Sequence, residues 1–194
     1  MKEFFERNSK SILQLSGGKD SVACLWLLEA WWDQLTVVWA NTGNPYPETV
    51  EYMAEVKALV PNFVELKGNQ PAYIKEFGYP VDMVPVWQTQ FASQVAGKVD
   101  FKFSNPFNCC YTNHWKVMED YILASGVTGI IRGQKEADQR KNQLKPGDVV
   151  AGLEVCFPVF HWTDGEVKAF LGNRLPKNYL RGMSGSLDCM NCTA

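Results

Sequence analysis

The sequence predicts an α/β fold: one parallel, twisted sheet flanked by helices, in a single domain spanning residues 1–194. Three observations carry that expectation. Short apolar runs alternate with amphipathic segments through the first third of the chain. The second run, LTVVWA at 35–40, is continuous, the pattern of a strand buried on both faces. A glycine-rich turn joins the first run to the first helix. Strand, helix, strand, helix, strand within about 55 residues demands right-handed crossovers, and so parallel neighbours.

The elements follow in order. Residues 11–15 (SILQL) form a short strand that stops at Ser16-Gly17-Gly18. Asp20 opens the helix DSVACLWLLEAWW, in which Cys24, Leu27, Leu28 and Trp31 share one face at helical spacing. Residues 35–40 form the second strand and lead into the polar loop 41–44. Pro47-Glu48 starts a helix reaching about Leu59. Residues 62–66 form a third strand. Residues 68–106 hold prolines and scattered aromatics with no sustained period; they read as irregular, with a short helix at 88–95. A helix over 113–124 presents Val117, Met118, Tyr121 and Ile122 on one face. A strand at 127–131, a charged loop at 132–147 and an extended segment at 154–160 come next. The last helix, 164–171, has Thr163 as N-cap and Glu166 three residues on, a capping box. The seven tryptophans read as core.

Composition narrows the function. Of 194 residues, 46% are hydrophobic and 21% charged, which excludes wholesale disorder. Lys and Arg total 19 against 21 Asp and Glu, a net charge of -2, so no global field draws the chain to nucleic acid or an anionic membrane. No apolar run is long enough to span a bilayer, and the opening MKEFFERNSKSILQL carries acids where a secretory signal is apolar. A cytoplasmic location is the expectation. The six cysteines then read as thiols or metal ligands, not disulfides.

Ser16-Gly17-Gly18-Lys19-Asp20-Ser21, between a buried strand and a helix, reads as an anion cradle. Glycines let the backbone turn and approach a ligand, and the amides converge with the positive end of the helix. Ser16, Ser21 and Lys19 add donors and charge. Asp20 suits an anion site only if it orients the loop or holds a magnesium ion already bound to phosphates. The GxxxxGK spacing of a Walker A loop is absent. Cys109-Cys110 and Cys189-x-x-Cys192 offer four thiols from two places, enough for a [4Fe–4S] cube or a tetrahedral zinc site. Cys24 and Cys156 lie in apolar segments and read as packing residues. His114, close after the vicinal cysteines, reads equally as a group near a cluster or substrate and as a helix-surface residue. His161 reads as a local packing or hydrogen-bonding group.

These motifs resemble a known family. SGGKDS after a first strand is similar to the PP-loop of the ATP pyrophosphatases. NTGNPYPETVEYM at 41–53, IRGQKEADQR at 131–140 and FPVFHWTDGEVKAFL at 157–171 resemble the phosphoadenosine phosphosulfate (PAPS) reductase branch. The resemblance runs through nearly the whole chain in the family's order. It implies an adenine nucleotide α-hydrolase-like, Rossmann-like sheet with an adenine nucleotide across the carboxyl ends of the strands. It places phosphates on Ser16, Gly17, Gly18, Lys19, Asp20 and Ser21, and adenosine near Asn41, Thr42 and Gly43. Arg132, Gln134 and Arg140 match a polar loop facing the phosphate or sulfate end. Lys19, Asp20, Arg132 and Arg140 are then the catalytic candidates. The CC…CxxC arrangement resembles iron–sulfur adenylylsulfate reductases and DNA phosphorothioation enzymes. It implies a [4Fe–4S] cluster on Cys109, Cys110, Cys189 and Cys192, with zinc as the alternative.

Three functions follow from the resemblance. The first is an ATP pyrophosphatase using ATP and magnesium to adenylate an acceptor for sulfur transfer. Its partners would be a nucleic-acid acceptor and a sulfur-donor protein. The second is a sulfonucleotide reductase forming sulfite and AMP, served by a thioredoxin-like reductant. The third is a non-enzymatic nucleotide and cluster sensor. No cysteine-bearing tail follows Cys192, which weighs against the second, and the intact SGGKDS resembles members that cleave ATP. A homo-oligomer is compatible with each.

Overall fold

In a computed structural model, residues 1–81, 102–138, 143–180 and 189–190 are described. Helix α1 (Lys2–Arg7) precedes β1 (Ser11–Gln14), and α2 (Lys19–Leu27) continues into a 3-10 segment, Glu29–Gln34. Then come β2 (Leu35–Asn41), α3 (Pro47–Leu59) and β3 (Phe63–Lys67). Each expected element of this first third is present, within a residue or two at its ends except where α2 stops at Leu27.

The segment read as irregular is partly regular, which corrects that expectation. It contains α4 (Gln70–Phe77) and a short parallel pair, β4 (Tyr79–Pro80) with β5 (Phe103–Ser104). Asn69 caps α4 by accepting a hydrogen bond from the Ala72 amide at 3.1 Å, and Pro71 fits its first turn. The helix expected at 88–95 lies outside the described residues.

The next helix is longer than expected and interrupted. It begins as α5 (Pro106–Cys110), passes through a π-helical turn (Tyr111–Trp115) and continues as α6 (Lys116–Ser125). Gly126 ends it in the left-handed region at φ 66°. The strand β6 (Gly129–Ile131), a hairpin of β7 (Val149–Val150) and β8 (Leu153–Cys156), and α7 (Asp164–Leu171) follow, with α8 (Lys177–Leu180) last. The capping box at Thr163 is formed in both directions.

Six of these strands form one sheet in the order β3-β2-β1-β6-β8-β7, parallel except for β7. Period-2 alternation sends the two sides of each central strand to different cores. Leu13, Val37, Trp39 and Ile131 pack beneath α2 and α3 with Val22, Leu25 and Met53. Ile12, Val38, Ala40 and Ile130 face the other way, against Met118 of α6. Both faces are therefore covered by helices, as the continuous apolar strands require. Trp39 is buried as expected, but Trp115 is 48% exposed, so the reading of every tryptophan as core does not hold.

The strand order places the site. From β1 the chain moves outward to β2 and β3, then returns to build β6 and β8 on the other side of β1. The order reverses between β1 and β6, and open α/β sheets bind ligands in the crevice outside such a switch point.

Candidate active site

The loop Ser16–Ser21 leaves the carboxyl end of β1, and Arg132–Lys135 leaves the carboxyl end of β6. Gly17 takes φ +83°, the left-handed conformation that glycine adopts without penalty. The loop is braced internally. The Ser16 amide donates to Ser21 Oγ at 3.3 Å, the Gly18 amide donates to Ser16 Oγ at 3.3 Å, and Ser21 Oγ donates to the Gly18 carbonyl at 2.9 Å. Gly133 lies flat on the start of α2: a Cβ there would sit 2.3 Å from the Ser21 amide nitrogen and 2.4 Å from the Asp20 carbonyl carbon. Only glycine lets the two strand ends close to this distance.

Four charged side chains meet above the loop. Lys19 Nζ lies 2.9 Å from Asp20 Oδ2 and 3.0 Å from Asp164 Oδ1. Lys135 Nζ lies 3.2 Å from Asp20 Oδ1 and makes a short contact with Asp164 Oδ1. Both lysine side chains are 7% exposed, whereas Asp164 is 59% exposed. Burial pulls the Lys19 ammonium down, but its hydrogen bonds to Asp20 and Asp164 hold it above its ordinary range. Hydrogen bonds from Lys135 and then Lys19 hold the Asp164 carboxyl at about 2.

Arg132 differs from both lysines. It stands beside this cluster with its Nε buried and without a hydrogen-bond partner, and no carboxylate pairs with it among the described residues. Burial lowers its affinity for its proton, with nothing to offset the effect. A half-desolvated guanidinium without a carboxylate partner is well suited to an oxyanion.

These groups line a cleft of about 1570 Å³. At one end stand Ser16, Gly18, Lys19, Arg132, Lys135 and Asp164. The cleft runs on between the sheet and α6, where Val38, Ala40, Met118 and Ile130 give it an apolar wall. Gln134 and His114 also line it. Asn41, Thr42 and Gly43 do not. They are tied to the turn after β3: the Asn41 side chain donates to Glu65 at 2.7 Å, and the Gln70 amide donates to the Thr42 carbonyl at 2.8 Å. Arg140 and Cys192 lie outside the described residues.

The thiols sit at a neighbouring edge. Cys109 is buried and Cys110 half-buried at the end of α5. In the π-turn Asn113 donates to the Cys109 carbonyl at 3.0 Å and accepts from the Asn69 amide at 2.8 Å. Gly68 presses against the same turn, since a Cβ there would lie 2.2 Å from the Asn113 carbonyl oxygen. On the other side of that loop, Cys189 Sγ donates to Thr42 Oγ1 at 3.0 Å and the Met190 amide to the Asn44 carbonyl at 2.9 Å. Cys109 and Cys189 thus bracket the loops after β2 and β3. Among the described residues, no group of three or more His, Cys, Asp or Glu is disposed to hold a metal ion. Cys24 is fully buried, with its thiol pushed up by desolvation, and burial pushes Cys156 up to about 11, in keeping with packing roles. His161 is exposed and faces Glu136 at 3.5 Å.

Over residues 10–194 the sequence matches the phosphoadenosine phosphosulfate reductase domain. The chain belongs to that family. It is 26% identical over 196 residues to an adenosine 5'-phosphosulfate reductase of Geobacillus kaustophilus, covering 97% of this chain and 75% of the relative. Among solved structures, it is similar to a PAPS reductase from Candida auris in a phosphate complex, at TM-score 0.66 and 14% identity, covering 92% and 81% of the two chains. It also resembles an FMN adenylyltransferase of Candida glabrata solved with FMN and an ATP analogue, at TM-score 0.52 and 16% identity, over 87% of this chain and 51% of that one. These likenesses establish the fold, and the family is one of nucleotide-binding enzymes. No described helix is long and apolar enough to cross a membrane.

Sequence reasoning missed Gly133, Lys135, Asp164 and Tyr179. Lys135 and Gly133 stand inside the quoted motif IRGQKEADQR, so the signal for them was present. Asp164 likewise stands inside the quoted FPVFHWTDGEVKAFL, whereas nothing local marks Tyr179.

Proposed function

We propose that this enzyme binds ATP with its phosphates on the loop Ser16–Ser21 and cleaves it to AMP and pyrophosphate to activate an acceptor. The observation that carries the reading is Arg132: a half-buried guanidinium whose buried Nε has no hydrogen-bond partner, beside two lysines and a helix N-terminus. Such a set supports polyphosphate better than any neutral ligand. An acceptor oxygen bonds to the α-phosphorus while the bond to the α–β bridging oxygen breaks. Pyrophosphate leaves with that electron pair, the acceptor's proton passes to solvent, and AMP leaves when a sulfur nucleophile from the donor protein displaces it from the adenylated acceptor. The chain contributes positioning and charge neutralisation through Lys19, Arg132, Lys135 and the loop amides, with Gln134 lining the same cleft and Arg140 a candidate on its motif alone.

Asp20 fits a magnesium ion arriving with the phosphates. Its Oδ1 is buried and makes no hydrogen bond beyond the ion pair with Lys135 at 3.2 Å, and magnesium is commonly held by one or two carboxylates plus substrate oxygens. When bound, the ion neutralises charge on the departing pyrophosphate. The four thiols Cys109, Cys110, Cys189 and Cys192 fit a [4Fe–4S] cluster in donor chemistry, with zinc the alternative, although the three described ones are not gathered as ligands. When bound, a cluster supplies electron storage and a sulfur-coordinating centre. A nucleic-acid acceptor and a sulfur-donor protein are the partners this reading calls for.

The chain's match to a curated adenosine 5'-phosphosulfate reductase favours a second reading, release of sulfite from a sulfonucleotide with a thioredoxin-like reductant. That route needs a nucleophilic thiol, and no described residue lining the cleft is a cysteine. One experiment separates the two. The chain is incubated with ATP and magnesium plus candidate acceptors, and separately with adenylylsulfate. Pyrophosphate release supports the first reading; an S-sulfocysteine adduct without pyrophosphate release overturns it.

A further inference from the structure

Two groups from the C-terminal third of the chain sit on the anion-binding groups of the loop. The Asp164 carboxylate takes both buried ammonium groups, Lys19 at 3.0 Å and Lys135 closer still. The Tyr179 hydroxyl accepts from the Lys19 amide at 3.1 Å, the first amide of α2. These are the positions a phosphate oxygen would use, since ammonium groups and helix N-terminal amides are the standard anion partners. We propose that Asp164 and Tyr179 form a plug in the phosphate subsite, displaced when a phosphate-bearing ligand binds.

Asp164 is suited to leave. It is the most exposed member of the four-charge cluster. The start of α7 does not depend on it, because Thr163 and Glu166 make the capping box between them. Tyr179 lies on α8, a single turn whose Lys177 reaches Glu51 of α3 at 2.8 Å. Arg132 stays outside the plug and continues to attract an anion while Asp164 satisfies the lysines. A site whose competent state is only partly populated binds more weakly by that fraction. The penalty is a property of the protein, so every anion using the subsite suffers it by the same factor.

The inference rests on the reading that the loop takes phosphate, and the test separates the two. Wild type, Asp164→Asn, Asp164→Ser, Tyr179→Phe and the Asp164→Asn/Tyr179→Phe double variant are titrated calorimetrically, in the full chain and in chelator, with inorganic phosphate and with pyrophosphate. Thermal melts check that each variant is folded, and Asp164→Ser stands in should the Asn variant fail. The plug predicts tightening of at least about tenfold for either Asp164 variant and about threefold for Tyr179→Phe, as expected when a charge-assisted and a neutral hydrogen bond are released. The Asp164 factor should be equal for the two anions. Wild-type binding with no gain, or a loss, in folded variants overturns the plug alone. Absence of binding by wild type and variants overturns both the plug and the phosphate reading.

Discussion

The loop end of the cleft and the thiol edge beside it are held in place by similar means and finished differently. Each depends on a glycine pressed against a neighbouring backbone, Gly133 on the start of α2 and Gly68 on the π-turn at Asn113. At the loop end this closure brings Lys19, Asp20, Arg132, Lys135 and Asp164 around one point. At the thiol edge it fixes the backbone near Cys109, while Cys189 is anchored on Thr42 across the intervening loops. The loop end has its charges in register, with Arg132 outside the ion pairs; at the thiol edge no group of three or more metal-binding side chains forms among the described residues.

Breaking the two closures should have the largest effects. Gly133→Ala forces a methyl into the Asp20–Ser21 backbone and should cost about 3 kcal/mol, with loss of ATP binding. Gly68→Ala should cost a similar amount, about 3 kcal/mol, yet leave the loop's affinity for ATP within a few-fold once folded. Denaturant melts and ATP titrations check both. Equal loss of ATP binding in the two variants would show that the regions are not separable.

Next in size is the effect of removing a lysine. Lys135→Met should weaken ATP binding at least about tenfold, since a hydrogen bond to a charged group contributes about 1.5–3 kcal/mol. The same substitution should leave metal content unaltered. Conversely, Cys109→Ser with Cys110→Ser should remove iron from anaerobically purified protein, read by iron and sulfide analysis, while ATP binding stays within a few-fold of wild type. Iron retained by that variant would contradict the assignment of these thiols.

A smaller effect concerns pH. Asp164 is depressed to about 2 by the two lysines, below its ordinary value near 3.8. A carboxyl depressed on folding stabilises the protein above its unfolded value, and that contribution is lost as pH falls through the folded one. Melting temperature should therefore drop between about pH 4 and pH 2, and Asp164→Asn should flatten that part of the wild-type profile. An unchanged slope in the variant would place the titrating group elsewhere.

Much of this was legible in sequence because it is local. The loop, the strands on either side of it, the Pro47 helix start and the Thr163 capping box each depend on residues within a few positions. Helix α4 was equally local, and Asn69 with Pro71 announced it; the absence of a long apolar period hid it. The charge cluster was not legible. Lys135 reaches Asp164 across 29 residues and the Lys19 amide reaches Tyr179 across 160, distances that only the sheet order closes. The π-turn likewise has no sequence signature, although it sets the backbone that Gly68 and Asn69 grip. Asn41 to Gly43 match a family motif and yet lie outside the cleft lining, with Asn41 bonded to Glu65 of β3 and Thr42 to the Gln70 amide, contacts that no local pattern announces.

The account turns on Arg132 as a half-buried cation, its Nε without a hydrogen-bond partner, held for an anion. The direct measurement is thermal unfolding of wild type and Arg132→Met, each with and without pyrophosphate. Removing a half-buried charge that lacks a carboxylate should raise the melting temperature of the ligand-free protein and abolish most of the stabilisation that pyrophosphate gives wild type. A ligand-free variant less stable than wild type, or one stabilised by pyrophosphate to the same degree, would contradict it.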